Sequence, residues 1–368
     1  MTPTGPVGVG IIGAGVISGA YLTNLVRCPD VLVHVVGDLY PDIARAKAAE
    51  YEVPAAGSAA DVLAHPDVEI VVNLTLPVSH VDVGLAAVAA GKHVYSEKPL
   101  ALDLASGREL LVAADAAGLR VGCAPDTVLG AGIQTARRVI ERGDIGTPLG
   151  GLTIFQTPGP ESWHPSPAFL FARGAGPLFD MGPYYLSTLN QLLGPMTKVA
   201  AVGSQAHPTR TIGSGPRAGE VFDVQVPTQV SMLTQFDIGA TAQSIFSFDS
   251  PATRVGFVEI TGTEATLAVP DPNTFDGVLR IRRAADDDWQ PVESAGSTMG
   301  RGMGVIDMAR ALRAGEPHRL DGTTALHVLD AMIAAADSIR SGAFVEVVSR
   351  PVASPALPAD WDPQAATL

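Results

Sequence analysis

The chain has 368 residues, and its 38 acidic and 24 basic side chains give a net charge of −14. An acidic surface repels phosphate backbones, so binding to nucleic acid or to an anionic membrane is not expected. Apolar residues make up 46% of the chain, which is enough to fill the cores of two domains.

Cysteines and histidines give no sign of a disulfide framework or a metal site. Cys28 and Cys123 lie far apart without a CxxC spacing, and the histidines form neither HxxH nor HExxH. The segment MTPTGP lacks the basic and apolar regions of a secretory signal, and no apolar run reaches the ~18 residues of a membrane span. These features are typical of a soluble cytoplasmic protein with reduced thiols.

Strand and helix patterns alternate over the first part of the chain, as a parallel sheet with helical crossovers requires. The predicted strands are Val7–Ile12, Val31–Gly37, Glu69–Leu74, His93–Ser96 and Arg120–Cys123. The predicted helices are Ser18–Val26, Pro41–Tyr51, a short helix after the capping box Ser58–Asp61, His80–Ala90 and Asp103–Ala117. This order predicts an α/β fold that begins with a doubly wound Rossmann sheet over residues 1–126.

The pattern changes after residue 126. Two helical stretches, two late helices and seven extended runs joined by short polar turns predict an α+β domain over 127–346, with a large, mostly antiparallel sheet. The segment 206–220 is polar and rich in Gly and Pro, so it is predicted to be a long loop. The proline-rich tail, 347–368, is expected to be an extended strap or disordered.

A glycine-rich loop, GIIGAGVISG (10–19), follows the first strand and opens the first helix. Gly13 and Gly15 hold the first two positions of a G-x-G-x-x-G fingerprint, and Ser18 replaces the third glycine. The helix start at Val16 and Ile17 offers N–H groups and a positive dipole end to the phosphates of a dinucleotide. The alternative is a purely structural turn.

Asp38 ends the second strand about twenty residues beyond the loop, where a carboxylate accepts hydrogen bonds from a ribose. Leu39 follows it and is predicted to contact the cofactor as well. A 2′-phosphate would face this carboxylate, and no arginine follows directly in DLYPDIAR, so NAD is favoured over NADP. Arg45, further along the next helix, keeps NADP open as the less favoured cofactor.

The segment VYSEKPLA (94–101) places Glu97 and Lys98 at a strand tip that Pro99 ends. Ligands of open α/β sheets bind beyond the carboxyl ends of the strands, where a nicotinamide is expected. A fixed ammonium there stabilises the negative charge that grows on an alcohol oxygen during hydride transfer. Glu97 is predicted to position Lys98 or to contact the cofactor. The alternative is an exposed ion pair.

The motifs GIIGAGVIS, DLYPDIARAKA, VVNLTLPVSH, GKHVYSEKPLA and GPLFDMGPYYL together resemble the Gfo/Idh/MocA oxidoreductases, the glucose–fructose oxidoreductase and inositol dehydrogenase family. The EKP tripeptide is the most specific of them, and the resemblance covers nearly the whole chain. It implies a Rossmann domain, an α/β domain whose open sheet often forms oligomer interfaces, a nicotinamide cofactor and a sugar-like or cyclitol-like substrate. It also implies that Lys98 is catalytic.

The same resemblance implies a second signature, an aspartate followed four residues later by a histidine on a helix. Here Asp180 is followed by Tyr184, and positions i and i+4 share a helix face. Asp180 is expected to orient substrate hydroxyls or the lysine, and Tyr184 to exchange the substrate proton. His164, beside Trp163 in ESWHPSPAF, is the rival proton carrier. A helix cap, a packed tyrosine and a surface histidine are the structural alternatives.

Further cofactor contacts follow from the resemblance alone. They lie in the turn after the third strand, at Thr75, Leu76, Pro77 and His80. Asp126 stands where many relatives have an asparagine–arginine pair, and it is added to this group. For the first three residues, a strand-to-helix turn without a ligand is the alternative.

These features predict an NAD(P)-dependent dehydrogenase or reductase that acts on a secondary alcohol or ketone of a sugar, sugar derivative or cyclitol. The expected partners are this small molecule and further copies of the chain, in a dimer or tetramer. One alternative is a glycosidase or lyase that oxidises its substrate transiently and then eliminates a substituent. The other is a non-catalytic NAD-sensing regulator, against which Lys98, Asp180 and Tyr184 argue together.

Overall fold

The computed structural model describes residues 4–351 and 354–368. Over these ranges the chain divides into two compact units, each built from segments that are distant in sequence. The first unit ends its main segment at Gln134 and adds Ala295–Leu329 and Arg350–Leu368; the second consists of Thr135–Ser294 and Asp330–Ser349. The units are therefore interleaved along the chain, and the linear boundaries at 126 and 346 stay predictions.

Parallel strands form the sheet of the first unit. In chain order they are β1 (Val7–Ile12), β2 (Val31–Gly37), β3 (Ala55–Gly57), β4 (Ile70–Asn73), β5 (His93–Ser96) and β6 (Val121–Cys123). Their order across the sheet is β3-β2-β1-β4-β5-β6, which is the order of a Rossmann fold. Strands β1 and β4 are buried along their whole length, as parallel strands covered on both faces must be. The predicted doubly wound sheet is confirmed.

Helices connect these strands, and local sequence sets their ends. They are α1 (Val16–Leu25), α2 (Pro41–Glu50), α3 (Ala59–Ala64), α4 (His80–Ala89) and α5 (Leu104–Ala116). Ser58 caps α3 and exchanges hydrogen bonds with Asp61, so the predicted capping box is confirmed. Asp103 caps α5 by accepting a hydrogen bond of 2.9 Å from the Ser106 N–H. In chain order, helices α1, α2 and α4 follow the carboxyl ends of β1, β2 and β4.

A mostly antiparallel sheet forms the centre of the second unit. Helix α6 (Ala131–Glu141) precedes it, and helix α7 (Gly176–Leu193) interrupts its strands. The strands of this unit, of which β9 and β10 form a separate hairpin, are β7 (Pro148–Gln156), β8 (Met196–Ser204), β9 (Thr209–Thr211), β10 (Val221–Asp223), β11 (Gln229–Phe236), β12 (Thr241–Ser247), β13 (Arg254–Gly262), β14 (Ala265–Val269), β15 (Leu279–Arg283) and β16 (Gln290–Val292). Helices α8 (Met303–Ala314) and α9 (Gly322–Ser341) follow, and then β17 (Val345–Glu346).

The order of the large sheet is β16-β15-β14-β13-β7-β12-β11-β8-β17, and only the β7–β12 pair in it is parallel among the described strands. Helix α7 packs on one face, where the Tyr185 ring meets Phe155 and Phe246 edge-on at 6.1 and 5.8 Å. Strand β11 alternates buried and outward residues, and Leu233 on the outward face is half-exposed. The predicted oligomer interface on this sheet stays a prediction.

The segment predicted to be a long loop contains part of a small hairpin. Strands β9 and β10 pair antiparallel, with Arg210 opposite Phe222. The loop prediction for 206–220 is therefore wrong at β9. A three-residue strand of Thr, Arg and Thr has no apolar alternation, so local pattern could not reveal it.

The end of the C-terminal tail is part of the first unit. The Arg310 guanidinium donates hydrogen bonds to the carbonyl oxygens of Asp362 and Ala365, both at 2.9 Å. The buried Asp30 carboxylate accepts hydrogen bonds from the Thr367 hydroxyl and N–H. Of the two predicted states of the tail, these contacts support the strap. Residues 352–353 of the tail lie outside the described residues.

Candidate active site

The glycine loop forms a tight turn beside an open space. The Gly13 N–H donates to the Gly37 carbonyl at 2.8 Å, and Gly13 has φ +104°. A Cβ on Gly13 would lie 2.6 Å from the backbone of Leu74, so only glycine fits. A Cβ on Gly15 would instead have no atom within 4 Å. Gly15 therefore leaves room for a ligand to approach the backbone closely.

Helix α1 begins at this open space. No side chain caps its N-terminus, and its first turn contains no acidic residue. The Ser18 hydroxyl donates to the Gly15 carbonyl at 2.7 Å, so the serine at the third fingerprint position is used within the turn. Val16 is fully exposed at the start of the helix. The backbone N–H groups at the start of α1 and the open space at Gly15, together called the cradle below, fit the pyrophosphate of a dinucleotide.

Asp38 is fixed at the end of β2 by two backbone amides. Its Oδ2 accepts a hydrogen bond from the Ala14 N–H at 2.7 Å, and its Oδ1 accepts one from the Tyr40 N–H at 2.9 Å. Each carboxylate oxygen can accept a further bond, so ribose hydroxyls remain suitable partners. Leu39 and Leu76 lie beyond the ends of β2 and β4, on either side of β1, and are 85% and 63% exposed. These exposed apolar side chains fit the flat face of an adenine.

The turn after β4 is built around a buried asparagine. Asn73 accepts a hydrogen bond of 2.7 Å from the Thr75 hydroxyl through Oδ1 and donates one of 3.0 Å to the His80 carbonyl. Leu76 and Pro77 lie on the outer side of this turn, and Pro77 begins a 3₁₀ turn that leads into α4. Thr75, Leu76 and Pro77 thus lie at the same sheet edge as the glycine loop.

His80 follows this turn, begins α4 and is buried. Its side chain is 1% exposed, and its ring nitrogens face the carbonyl oxygens of Pro99 and Thr75. The cofactor contact of His80 stays a prediction, and the burial of its ring argues against it.

Lys98 lies at the carboxyl end of β5, and its peptide bond with Pro99 is cis. The Lys98 side chain is half-buried. Its backbone N–H donates to Glu97 Oε2 at 3.0 Å, while Glu97 Oε1 accepts from the Tyr21 hydroxyl at 2.8 Å and lies 3.5 Å from Arg301 Nη1. Glu97 is nearly buried among these partners. The contacts favour its predicted role in positioning Lys98 over a cofactor contact.

Asp126 is buried, which argues against its predicted contact with the cofactor. It has no exposed surface; the Tyr95 hydroxyl donates to Oδ1, and the Gly302 N–H donates to Oδ2 at 2.6 Å. Burial is the main cause that raises the pKa of the Asp126 carboxyl. The side chain ties the segment after β6 to the start of α8, and its cofactor contact stays a prediction.

In the second unit, α7 carries Asp180 and Tyr184 one turn apart. The helix starts at Gly176 and continues through Pro183, so both residues are helical and share a face. Asp180 is half-buried and Tyr184 is almost wholly buried. The structure thus brings together the two residues of the second predicted signature.

His164 lies in the loop between β7 and α7, between two exposed aromatic rings. The rings of Trp163 and Phe169 each lie edge-on to His164 at 5.5 Å, and His164 Nδ1 accepts from the Ser166 N–H at 3.0 Å. Exposed aromatic faces of this kind suit the apolar C–H surfaces of a sugar ring.

A buried arginine anchors this loop. Arg210 on β9 pairs with Glu161 and Asp249 and donates to the Pro158 carbonyl at 3.0 Å. Its guanidinium also lies 5.4 Å from the centre of the Phe171 ring. The β9–β10 hairpin therefore holds both ends of the loop that carries His164.

Sequence reasoning missed Tyr21, Arg301 and Arg210. Arg301 reaches Glu97 across about two hundred residues of sequence, and no motif surrounds it. Tyr21 falls on the buried side of α1, where a tyrosine is indistinguishable from a core residue. Glu97 was the one available signal for Tyr21 and Arg301, since an acid that becomes buried needs hydrogen-bond donors nearby.

No helix in 4–351 or 354–368 is long and apolar enough to cross a membrane. Within the same ranges, no three His, Cys, Asp or Glu side chains are grouped so that they could hold a metal ion. The cytoplasmic location stays a prediction.

Comparison with curated proteins finds relatives that act on cyclitols and sugars, by their names. Inositol 2-dehydrogenase 3 of Saccharopolyspora erythraea is 26% identical over 347 residues, which are 93% of this chain and 95% of that protein. The 1,5-anhydro-D-fructose reductase of Ensifer adhaerens is 26% identical over 294 residues, 78% of this chain and 83% of that protein.

Solved structures share the whole architecture. An NAD binding oxidoreductase from Klebsiella pneumoniae aligns with a TM-score of 0.81 at 26% identity, covering 94% of this chain and 100% of its own. Levoglucosan dehydrogenase in complex with NADH and L-sorbose aligns with a TM-score of 0.81 at 22% identity, covering 93% and 99%, and this likeness shows the fold.

Family models match both halves. Residues 7–124 match the oxidoreductase family with an NAD-binding Rossmann fold, and residues 133–268 match the GFO/IDH/MocA C-terminal domain. The Rossmann sheet, the EKP turn and these matches agree, and the chain belongs to the Gfo/Idh/MocA family of NAD-binding oxidoreductases.

Proposed function

We propose that the protein is an NAD-dependent dehydrogenase or reductase that acts on a secondary alcohol or ketone of a sugar, sugar derivative or cyclitol. The observation that carries the proposal is the placement of Lys98 at the same sheet edge as the Gly13–Gly15 cradle and Asp38. Similarity to an inositol 2-dehydrogenase over nearly the whole chain supports the substrate class.

Each residue has a defined task in this reaction. NAD, when bound, supplies the group that accepts or returns the hydride. The Lys98 ammonium donates a hydrogen bond to the reacting oxygen and stabilises its negative charge, or polarises a carbonyl in the reverse direction. Asp180 accepts hydrogen bonds from neighbouring hydroxyls and orients the ring. Tyr184 exchanges the hydroxyl proton, with His164 as the rival proton carrier.

We expect the protein to prefer NAD+ over NADP+ by at least about tenfold in Kd, because the Asp38 carboxylate would repel a 2′-phosphate. Two backbone N–H groups hold the Asp38 carboxylate in place, which supports this preference. Replacement of Asp38 by alanine should lower the ratio of the Kd of NADP+ to the Kd of NAD+ at least about tenfold. Titrations of wild type and Asp38→Ala with both dinucleotides measure it. Equal ratios in the two proteins contradict the role of Asp38.

The reaction itself is tested by incubating the protein with NAD+ and a panel of cyclitols and sugars. We expect NADH absorbance to rise in proportion to the substrate consumed. Substrate loss without NADH would favour a glycosidase or lyase that works by transient oxidation. Saturable NAD+ binding with no turnover across the panel would favour an NAD-sensing regulator.

A further inference from the structure

His80 occupies an unusual position for a buried histidine. It is the first residue of α4, directly after the turn that begins at Thr75, and only 1% of it is exposed. Nδ1 lies 2.7 Å from the Pro99 carbonyl oxygen, and Nε2 lies 3.0 Å from the Thr75 carbonyl oxygen. The ring therefore bridges the cofactor-side turn and the peptide that follows Lys98.

The two carbonyl oxygens compete for the protons of this ring. A carbonyl only accepts hydrogen bonds, and a neutral imidazole has a single N–H. Burial is the main cause that lowers the pKa of His80, although both carbonyls and Glu97 act in the opposite direction. The neutral ring is therefore favoured near neutral pH, and one carbonyl must find a different donor.

Burial decides which carbonyl oxygen accepts the hydrogen bond from the single ring N–H. The contact with Pro99 is buried, whereas the contact with Thr75 is only partly buried and is within reach of water. A buried carbonyl without a donor keeps the full cost of its desolvation, while a hydrated one does not. In the Nδ1–H tautomer, the ring donates to the Pro99 carbonyl oxygen through the shorter contact. The Thr75 carbonyl oxygen then accepts its hydrogen bond from water.

The surrounding contacts turn this hydrogen bond into a constraint on Lys98. On one side, Glu97 holds the Lys98 N–H at 3.0 Å. On the other side, His80 holds the carbonyl of Pro99, the next residue. The backbone of His80 is itself fixed, because the Asn73 side chain donates to the His80 carbonyl at 3.0 Å. The Asn73 backbone carbonyl in turn accepts a hydrogen bond from the Glu97 N–H at 2.9 Å.

We propose that His80 is a positioning residue, whose Nδ1–H donates to the Pro99 carbonyl and thereby fixes the peptide that carries Lys98. This inference rests on the proposed function only where it concerns turnover. The bridge itself is a property of the folded chain.

Two substitutions separate the two ring nitrogens. The amide nitrogen of asparagine falls where His Nδ1 lies, and that of glutamine falls where His Nε2 lies. His80→Asn should therefore keep the donor to Pro99 and retain kcat within about threefold. His80→Gln, which can serve only Thr75, should lower kcat at least about tenfold, as expected for a misplaced catalytic group. The Kd of NAD+ should stay within about threefold in both variants.

If His80 only stabilised the fold, the Asn and Gln variants would have equal kcat under conditions in which both are folded. Urea unfolding of both variants identifies conditions in which each is folded, since loss of the donor to the buried Pro99 carbonyl should destabilise His80→Gln more than His80→Asn. His80→Leu removes the ring N–H and should match His80→Gln in kcat. Equal kcat in the Asn and Gln variants, or a higher kcat in the Gln variant, overturns the proposal.

A second measurement needs no substrate. The long-range ¹H–¹⁵N spectrum of ¹⁵N-histidine-labelled wild type, assigned by the peak lost in His80→Asn, reports which ring nitrogen carries hydrogen. We expect hydrogen on Nδ1, and an Nδ1 without hydrogen overturns the proposal. If the wild type reduces NAD+ with no member of the substrate panel, the proposed function fails, yet this spectrum still tests the bridge.

Discussion

Replacement of Lys98 by methionine should lower kcat by about 10³-fold, which corresponds to about 4 kcal/mol of lost transition-state stabilisation. Methionine keeps the length of the side chain and removes the positive charge. Because the Gly13–Gly15 loop and Asp38 hold the dinucleotide in this account, the Kd of NAD+ should change less than about threefold. Initial rates with the best substrate and a fluorescence titration with NADH measure the two effects.

A surface lysine provides the control for Lys98→Met. Lys47 on α2 pairs with Glu50 at 2.8 Å, an exposed i,i+3 ion pair that contributes little to stability. Lys47→Met should therefore keep the wild-type kcat and dissociation constant. Full activity of Lys98→Met on the same substrate would show that Lys98 has no chemical role.

The two fingerprint glycines should fail in different ways when replaced by alanine. Gly13→Ala brings a Cβ within 2.6 Å of backbone atoms at φ +104°, so it should lower the free energy of unfolding by about 2 kcal/mol or more. Gly15→Ala meets no atom within 4 Å, so its stability should stay close to that of the wild type. Its Cβ fills the space that fits the pyrophosphate, and its NAD+ affinity should fall at least about tenfold.

Urea denaturation and NAD+ titration of both variants measure this contrast. Each protein serves as the control for the other, since the same methyl group is added two residues apart. A Gly15→Ala protein with wild-type NAD+ affinity would mean that the pyrophosphate does not approach the loop there. A Gly13→Ala protein of wild-type stability would mean that the turn can relax.

Local pattern predicted the Rossmann half of the chain closely, because each signal there is short in range. β2 and β5 have the bounds that the sequence predicts, and the capping box at Ser58 forms as expected. The glycine positions also follow from local geometry, as the positive φ of Gly13 shows. Where strands, turns and caps agree with each other, sequence alone specifies the fold.

The surroundings of several residues depend on long-range contacts that the sequence does not display. Asp126 belongs to the predicted site by its place in the chain, but the segment at Gly302 covers it. His80 carries the right chemistry for a ligand contact, yet its ring turns inward to Pro99. Arg210 supports the His164 loop from a strand too short and polar to be recognised. Each of these facts depends on tertiary packing, which a single sequence does not display.

The most direct test of the account is a calorimetric titration of NAD+ into protein freed of any bound nucleotide. The central claim is that a nicotinamide dinucleotide binds along the carboxyl edge of the first sheet, from the Gly13–Gly15 loop to Lys98. We predict saturable heat with one NAD+ bound per chain, together with weaker binding of NADP+. Absence of heat with both dinucleotides would contradict the account.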